Sequence, residues 1–192
     1  SCPDLRMVVI CRGGPVNVNV ESATRHGVLV TRTPGRNANA TTEHSLGMIL
    51  AAMRQISQRD AALKAGDWRS DYYRYDQVGP ELFDSTVGLI GYGAIGHRVT
   101  RALLALGAHV LVFDPYLTGD LPEGAKRVED LNELMRNSSV VTIHARATDD
   151  NVGLVGREQI QLMPPGSVLV NCARPGLLDY EALCDALESG HL

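Results

Sequence analysis

From Ser85 onward, short β-branched apolar runs alternate with segments of helical periodicity. TVGLI (86–90) predicts a buried strand, and residues 94–106 predict a helix with Ile95, Val99, Ala102, Leu103 and Leu106 on one face. Gly107 is placed to stop that helix in left-handed backbone. HVLVF (109–113) reads as a second strand, and Asp130 caps a short helix through Met135. VVTIHA (140–145) is a third strand. A helix from Arg157 to Met163 ends at Pro164, Pro165 and Gly166, and SVLVNCA (167–173) is a fourth strand. Asp179 then caps a closing helix. Four strands joined through helices require right-handed crossovers with helices on both faces, so the predicted fold class is α/β, a doubly wound parallel sheet.

The pattern upstream is thinner. MVVIC (7–11) and VLVT (28–31) predict two strands around the loop RGGPVN and a short helix, VESATRHG (20–27), too few elements for a core of their own. Leu46, Ile49, Leu50, Met53 and Ile56 recur at helical spacing and predict one long helix from Thr42 to about Ala65. The expected division is residues 1–38 and 39–192. Between the long helix and the first strand of the sheet, residues 66–83 carry Trp68, Tyr72, Tyr73, Tyr75 and Phe83. So many aromatics are expected to pack on their own domain or on a second subunit, with stacking on a base or sugar as the alternative.

Charge and cysteines narrow the function. A formal net charge of −4 argues against a phosphate-backbone binder, so no nucleic-acid partner is expected. The apolar run Leu46–Met53 is far short of the ~20 residues that cross a bilayer, and no basic-then-apolar leader opens the sequence, so no membrane is expected either. Cys2, Cys11, Cys172 and Cys184 lack CxxC spacing and a nearby His pattern; they read as reduced thiols of a cytoplasmic protein, with no metal site. The opening without Met and the closing ALESGHL both read as cut ends of a longer protein.

Candidate chemistry begins at Gly91-Tyr92-Gly93-Ala94-Ile95-Gly96, a G-x-G-x-x-G set between a predicted strand and a predicted helix. The first glycine permits the sharp turn, the second lets a pyrophosphate approach the backbone, and the third lets the helix pack on the strand. The helix N-terminus then offers N–H groups to phosphate. Asp114 closes the second strand 18 residues after Gly96, near the spacing at which a carboxylate accepts hydrogen bonds from the adenosine ribose. That carboxylate would repel a 2′-phosphate, which favours NAD over NADP; its bland role is a turn residue before Pro115. Ligands of such sheets sit beyond the carboxyl ends of the strands, where Asp114, His144 to Arg146 and residues 171–179 fall. Arg174 stands out among them, because a guanidinium can grip a carboxylate through two parallel hydrogen bonds and polarise a neighbouring carbonyl.

With these residues in view, the sequence resembles the D-isomer-specific 2-hydroxyacid dehydrogenases, which include D-3-phosphoglycerate dehydrogenases. RGGPVNVNVESATRHGVLVTRTPGRN, TTEHSLGMILA, TVGLIGYGAIG, VVTIHARATDDNVGLV and above all LMPPGSVLVNCARPGLLDYEAL carry the resemblance. It implies a Rossmann-type NAD-binding domain behind a remnant of a substrate domain, acting on a 2-hydroxy or 2-keto acid. Arg174 would be the catalytic arginine holding the substrate carboxylate and C2 oxygen. Ala94 and Ile95 would lie against the pyrophosphate, Asp114 on the ribose, and His144, Cys172, Ala173 and Arg174 along the nicotinamide half. The N–H groups of Gly13 and Gly14 would receive the substrate carboxylate, although Pro15 removes a donor from that loop. Pro175 stands where the family commonly has glycine and stiffens the backbone beside Arg174. The family's acid/base histidine and its glutamate partner would follow ESGHL, so the expectation is NAD binding with little turnover by these residues alone. A homodimer formed largely through the cofactor domain is also implied. The competing reading is an NAD-sensing scaffold, like the corepressor relatives, that performs no metabolic chemistry.

Overall fold

The structure, a computed structural model, describes residues 2–14, 17–70, 73–74 and 77–192. It divides into two compact units, Ser1–Thr41 and Thr42–Leu192. In the first, β1 (Met7–Ile10) and β2 (Leu29–Arg32) pair in parallel with α1 (Val20–Arg25) between them. Asn19 caps α1 by accepting the Ser22 N–H at 2.7 Å. Ile10 is buried, whereas Met7, Val9 and Leu29 are exposed. Two short strands and a six-residue helix bury little, as the apolar pattern implied.

The division falls within α2 (Ala38–Met53). The single long helix expected here is two: α3 (Ile56–Lys64) follows a break at Gln55, whose φ of 54° is left-handed. A segment some two dozen residues downstream in the chain packs against this break. Gly79 is pressed so close to the break that a Cβ on it would stand 1.8 Å from the Met53 carbonyl oxygen. The Arg54 guanidinium then donates to the Gly79 carbonyl at 2.6 Å, and Arg59 donates to the Gln77 carbonyl. No residue of α3 is buried. Of the surfaces expected for the aromatic segment, this domain's own core is not the one used, since Trp68, Tyr73 and Phe83 are exposed by 80%, 85% and 70%. Tyr72 and Tyr75 lie outside the described residues.

Then come β3 (Thr86–Ile90), α4 (Gly96–Ala105), β4 (His109–Phe113), β5 (Ala125–Arg127), α5 (Leu131–Arg136), β6 (Val140–Ile143), α6 (Arg157–Leu162), β7 (Val168–Asn171) and α7 (Tyr180–Glu188). The strands form one parallel sheet in the order β5-β4-β3-β6-β7. The sequence pattern predicts four strands; β5 is the fifth, a three-residue edge strand, Ala-Lys-Arg, without an apolar run. An edge strand needs only one bonded neighbour and tolerates charge, so hydrophobic pattern gives it no signature.

Alternation along β3 and β6 feeds two cores. Val87, Leu89 and Val140 join Ile49 and Met53 of α2 and Val99 and Leu103 of α4 on one face. Ile90, Val141 and Ile143 join Leu134 and Met135 of α5, Ile160 of α6 and Ala182 and Ala186 of α7 on the other. Helices therefore cover both faces, and the sheet is doubly wound. Gly88 admits α5 closely, because a Cβ there would lie 2.4 Å from Leu134 Cδ2. Gly107 stops α4 at φ 81°, and Asp130 and Asp179 cap α5 and α7 through the N–H groups of Asn132 (2.9 Å) and Ala182 (3.1 Å).

Candidate functional site

The chain leaves β3 toward β4 and β5 on one side and returns to β6 and β7 on the other, so the order reverses between β3 and β6. Such a reversal opens a crevice at the carboxyl ends of the strands. Ile90 of β3 is in register with Phe113 and Ile143, and Ile143 with Asn171. Gly91, Asp114, His144 and Cys172 thus leave the sheet side by side, and Arg174 follows two residues later on the same rim.

Each glycine of the bend answers a different steric demand. Gly91 sits at φ 94°, donates its N–H to the Phe113 carbonyl at 2.9 Å, and would drive a Cβ to 2.5 Å from the Ala145 nitrogen. Gly96 opens α4 so close to the strand that a Cβ would lie 2.1 Å from the Gly91 oxygen. Gly93 has no neighbour within 4 Å of that position, which leaves its backbone face accessible. α4 begins at Gly96, two residues later than its periodicity suggests, with Ile95 as an N-cap that makes no side-chain capping bond. Ala94 and Ile95 are therefore bend rather than helix, and the first-turn N–H groups lack a side-chain acceptor from the cap. Within the bend the Tyr92 ring meets His97 edge-on at 6.2 Å, and burial raises the Tyr92 pKa against the opposing charge of Arg101.

Asp114 ties the bend to β4. One carboxylate oxygen accepts the Tyr92 N–H at 2.7 Å and the other the Tyr116 N–H at 2.9 Å. It is thus a turn residue and an orienting brace together, with lone pairs left for a further donor.

His144 donates its backbone N–H to the Ile90 carbonyl at 2.7 Å. Its ring Nε2 meets the buried Thr142 hydroxyl at 2.9 Å, while Nδ1 is buried without a partner. Burial lowers its pKa to about 4, so the ring is neutral at pH 7. At pH 7 His144 is thus placed to act as a neutral hydrogen-bonding group.

Cys172 and Ala173 are half-buried beneath the rim, and Arg174 is exposed, its guanidinium donating to the Ala173 carbonyl at 2.9 Å. Asn171, which the sequence pattern did not single out, accepts the Ala173 N–H and donates to the Arg174 carbonyl, each at 3.0 Å. Thr142 was likewise missed. An Asn at a strand end two residues before a bend is a known turn-former, so its signal was present; the Thr142 contact had none. Gly13 and Gly14 belong to the first unit, where the Gly13 carbonyl accepts from Arg32 at 2.9 Å; Pro15 lies outside the described residues. Among the described residues no cluster of three His, Cys, Asp or Glu side chains could hold a metal ion.

A bend with two glycines demanded by backbone contact and one left open, next to a carboxylate at the end of the adjoining strand, fits a dinucleotide at the middle of a parallel sheet. The class is that of dinucleotide-binding α/β domains. Comparison with known proteins refines it: residues 46–192 match the family described as D-isomer specific 2-hydroxyacid dehydrogenase, NAD binding domain. The chain belongs to this family, and its second unit is an NAD-binding domain. It is 38% identical over 181 residues, 93% of its length, to a D-3-phosphoglycerate dehydrogenase of Methanocaldococcus jannaschii, of which this covers 34%. A D-3-phosphoglycerate dehydrogenase of Mycobacterium leprae is 37% identical over the whole chain, covering 36% of that protein. The crystal structure of a D-lactate dehydrogenase from Aquifex aeolicus, complexed with NAD and lactic acid, superposes with a TM-score of 0.87 at 30% identity over 99% of this chain and 56% of that one. The chain thus spans about a third of the length of these curated relatives.

Proposed function

We propose that this chain is the NAD-binding part of an oxidoreductase that exchanges a hydride between NAD(H) and a D-2-hydroxy acid or its 2-keto counterpart, of the 3-phosphoglycerate kind. The observation that carries the reading is the register Ile90–Ile143–Asn171, which brings the Arg174 loop out on the same rim as the glycine bend. In this reading the pyrophosphate lies against Gly93, Ala94 and Ile95, the adenosine ribose on Asp114, and the nicotinamide half along His144 and Cys172 to Arg174. Arg174 holds the substrate carboxylate and polarises the C2 oxygen, since its planar fork presents paired donors to both. Bound NAD supplies the hydride acceptor or donor. In the oxidative direction the C2–H bond breaks, the hydride leaves C2 for the bound NAD, and the hydroxyl proton passes to a base, giving the ketone.

Gly13 and Gly14 are assigned to the substrate carboxylate, the first unit to a remnant of the substrate domain, and the protein to the cytoplasm. Homodimerisation is supported by the solvent-facing Trp68, Tyr73 and Phe83, which a second copy would cover. The 192 residues alone are expected to bind NAD with little turnover.

The test is to assay the protein carrying this chain with NAD(H) against a panel of D-2-hydroxy and 2-keto acids, beside its Arg174→Ala variant. We expect turnover of at least one acid and a loss of about 1000-fold or more in kcat/KM on substitution, in line with removal of a preorganised donor. An Arg174→Ala variant with unimpaired kcat/KM overturns the assignment.

A further inference from the structure

We propose that Asn171 is a positioning residue that aims Arg174; the proposal rests on the reading of Arg174 as the substrate-gripping residue.

The loop that carries Arg174 is fixed on either side. Upstream, β7 is locked into register with β6 through Asn171. Downstream, Pro175 opens a 3-10 turn, Pro175–Leu177, and disfavours helical backbone at the residue before it, in keeping with the extended φ −139° and ψ 142° of Arg174. That turn is fastened to a neighbouring strip: the Gly153 N–H donates to the Gly176 carbonyl at 2.7 Å, Val155 to the Leu177 carbonyl at 2.9 Å, and Asp179 to the Val155 carbonyl at 3.0 Å. Leu177 beneath it is fully buried. Between these two fixed ends only Cys172, Ala173 and Arg174 are free to wander.

The Asn171 carboxamide removes that freedom. Its Oδ1 takes the Ala173 N–H and its Nδ2 reaches the Arg174 carbonyl, both at 3.0 Å, while the guanidinium itself bonds the Ala173 carbonyl at 2.9 Å. The task requires an acceptor and a donor on one short planar group. Ionised Asp has acceptors only, and Ser has a single oxygen in place of the fork. An exposed arginine has four rotatable side-chain bonds, so its reach is reproducible only when its Cα does not move. Displacing a substrate-holding group by ~1 Å costs on the order of 100-fold in rate.

The experiment uses the protein carrying this chain, with Asn171→Ala, Asn171→Asp, Arg174→Ala and the Asn171→Ala/Arg174→Ala double variant. For each, kcat and KM are measured with a 2-keto acid, NADH affinity is measured without substrate, and oxalate affinity of the NADH complex is followed by nucleotide fluorescence, which requires no turnover. We expect Asn171→Ala to lower kcat/KM and oxalate affinity by about tenfold to 100-fold while NADH affinity stays within about twofold. Asn171→Asp retains the acceptor and loses the donor, and should fall between wild type and Ala; it also serves if the Ala variant does not fold. In the Arg174→Ala background the Asn171 substitution should change oxalate affinity less than about twofold, because residues that act through one another are non-additive. Equal losses in both backgrounds, or NADH affinity falling in step with oxalate affinity, overturn the proposal. Unimpaired oxalate binding and turnover in Arg174→Ala alone sink the underlying reading and this proposal with it, whereas a damaged Arg174→Ala beside an unaffected Asn171→Ala sinks only the latter.

Discussion

The bend after β3 and the loop after β7 stand on the same rim and are built by opposite means. Gly91–Gly96 is shaped by taking side chains away, so that backbone can lie against backbone at Ala145 and at the Gly91 oxygen. Asn171–Arg174 is shaped by putting a side chain in, whose amide replaces the bonds a longer strand would have made. The first has no slack, because the obstructing atoms are main chain and cannot rotate aside. The second is adjustable. A bound pyrophosphate calls for a rigid cradle, and a substrate grip benefits from a guanidinium whose base is fixed and whose tip can swing.

Substitutions can break this contrast at graded cost. The largest effect is expected for Gly96→Ala, whose Cβ would meet the Gly91 oxygen at 2.1 Å with only backbone to yield. We expect a loss of about 3 kcal/mol or more in urea unfolding, at the upper end of overpacking costs. A full-stability Gly96→Ala would show that the bend has slack after all.

His144, between the two regions, gives an effect of similar size that depends on pH. Its folded pKa of about 4 lies below the ordinary 6.5, so between those values the unfolded chain binds more protons than the folded one. The corresponding stability is complete above pH 6.5 and is lost as the pH falls toward 4, by roughly 3 kcal/mol. Urea midpoints from pH 7.5 to 4 should show this slope in the wild type and a shallower one in His144→Gln.

Gly93→Ala is expected to leave stability within about 0.5 kcal/mol, as ordinary surface substitutions do. Its φ is not left-handed and no neighbour stands within 4 Å. NAD affinity, read by calorimetry, should nevertheless fall about tenfold or more, because the methyl occupies the approach to the backbone. Retained affinity would separate Gly93 from the cofactor.

The two regions also differ in how far the sequence discloses them. The bend is legible because glycine spacing states its sterics directly, and β3, β4, β6 and β7 are legible because buried parallel strands are written as β-branched runs. Asp114 and Arg174 followed from their places at strand ends. What escaped notice depends on contacts distant in the chain or on polar detail. The break at Gln55 lies against the distant Gly79, β5 has no apolar run, and the Thr142–His144 contact carries no periodicity. The aromatic segment is legible only in part, because composition reports that Trp68 and Tyr73 are large and apolar and not which surface they cover.

The reversal of strand order at β3 has a consequence for how the protein tolerates change. Because the sheet grows outward from its centre in both directions, Gly91 and His144 leave its inner strands, and a change at the outer edge of β5 or β7 reaches them last. Remodelling that respects this geometry belongs at the margins, and the crevice behaves as the keystone around which the arch can be widened.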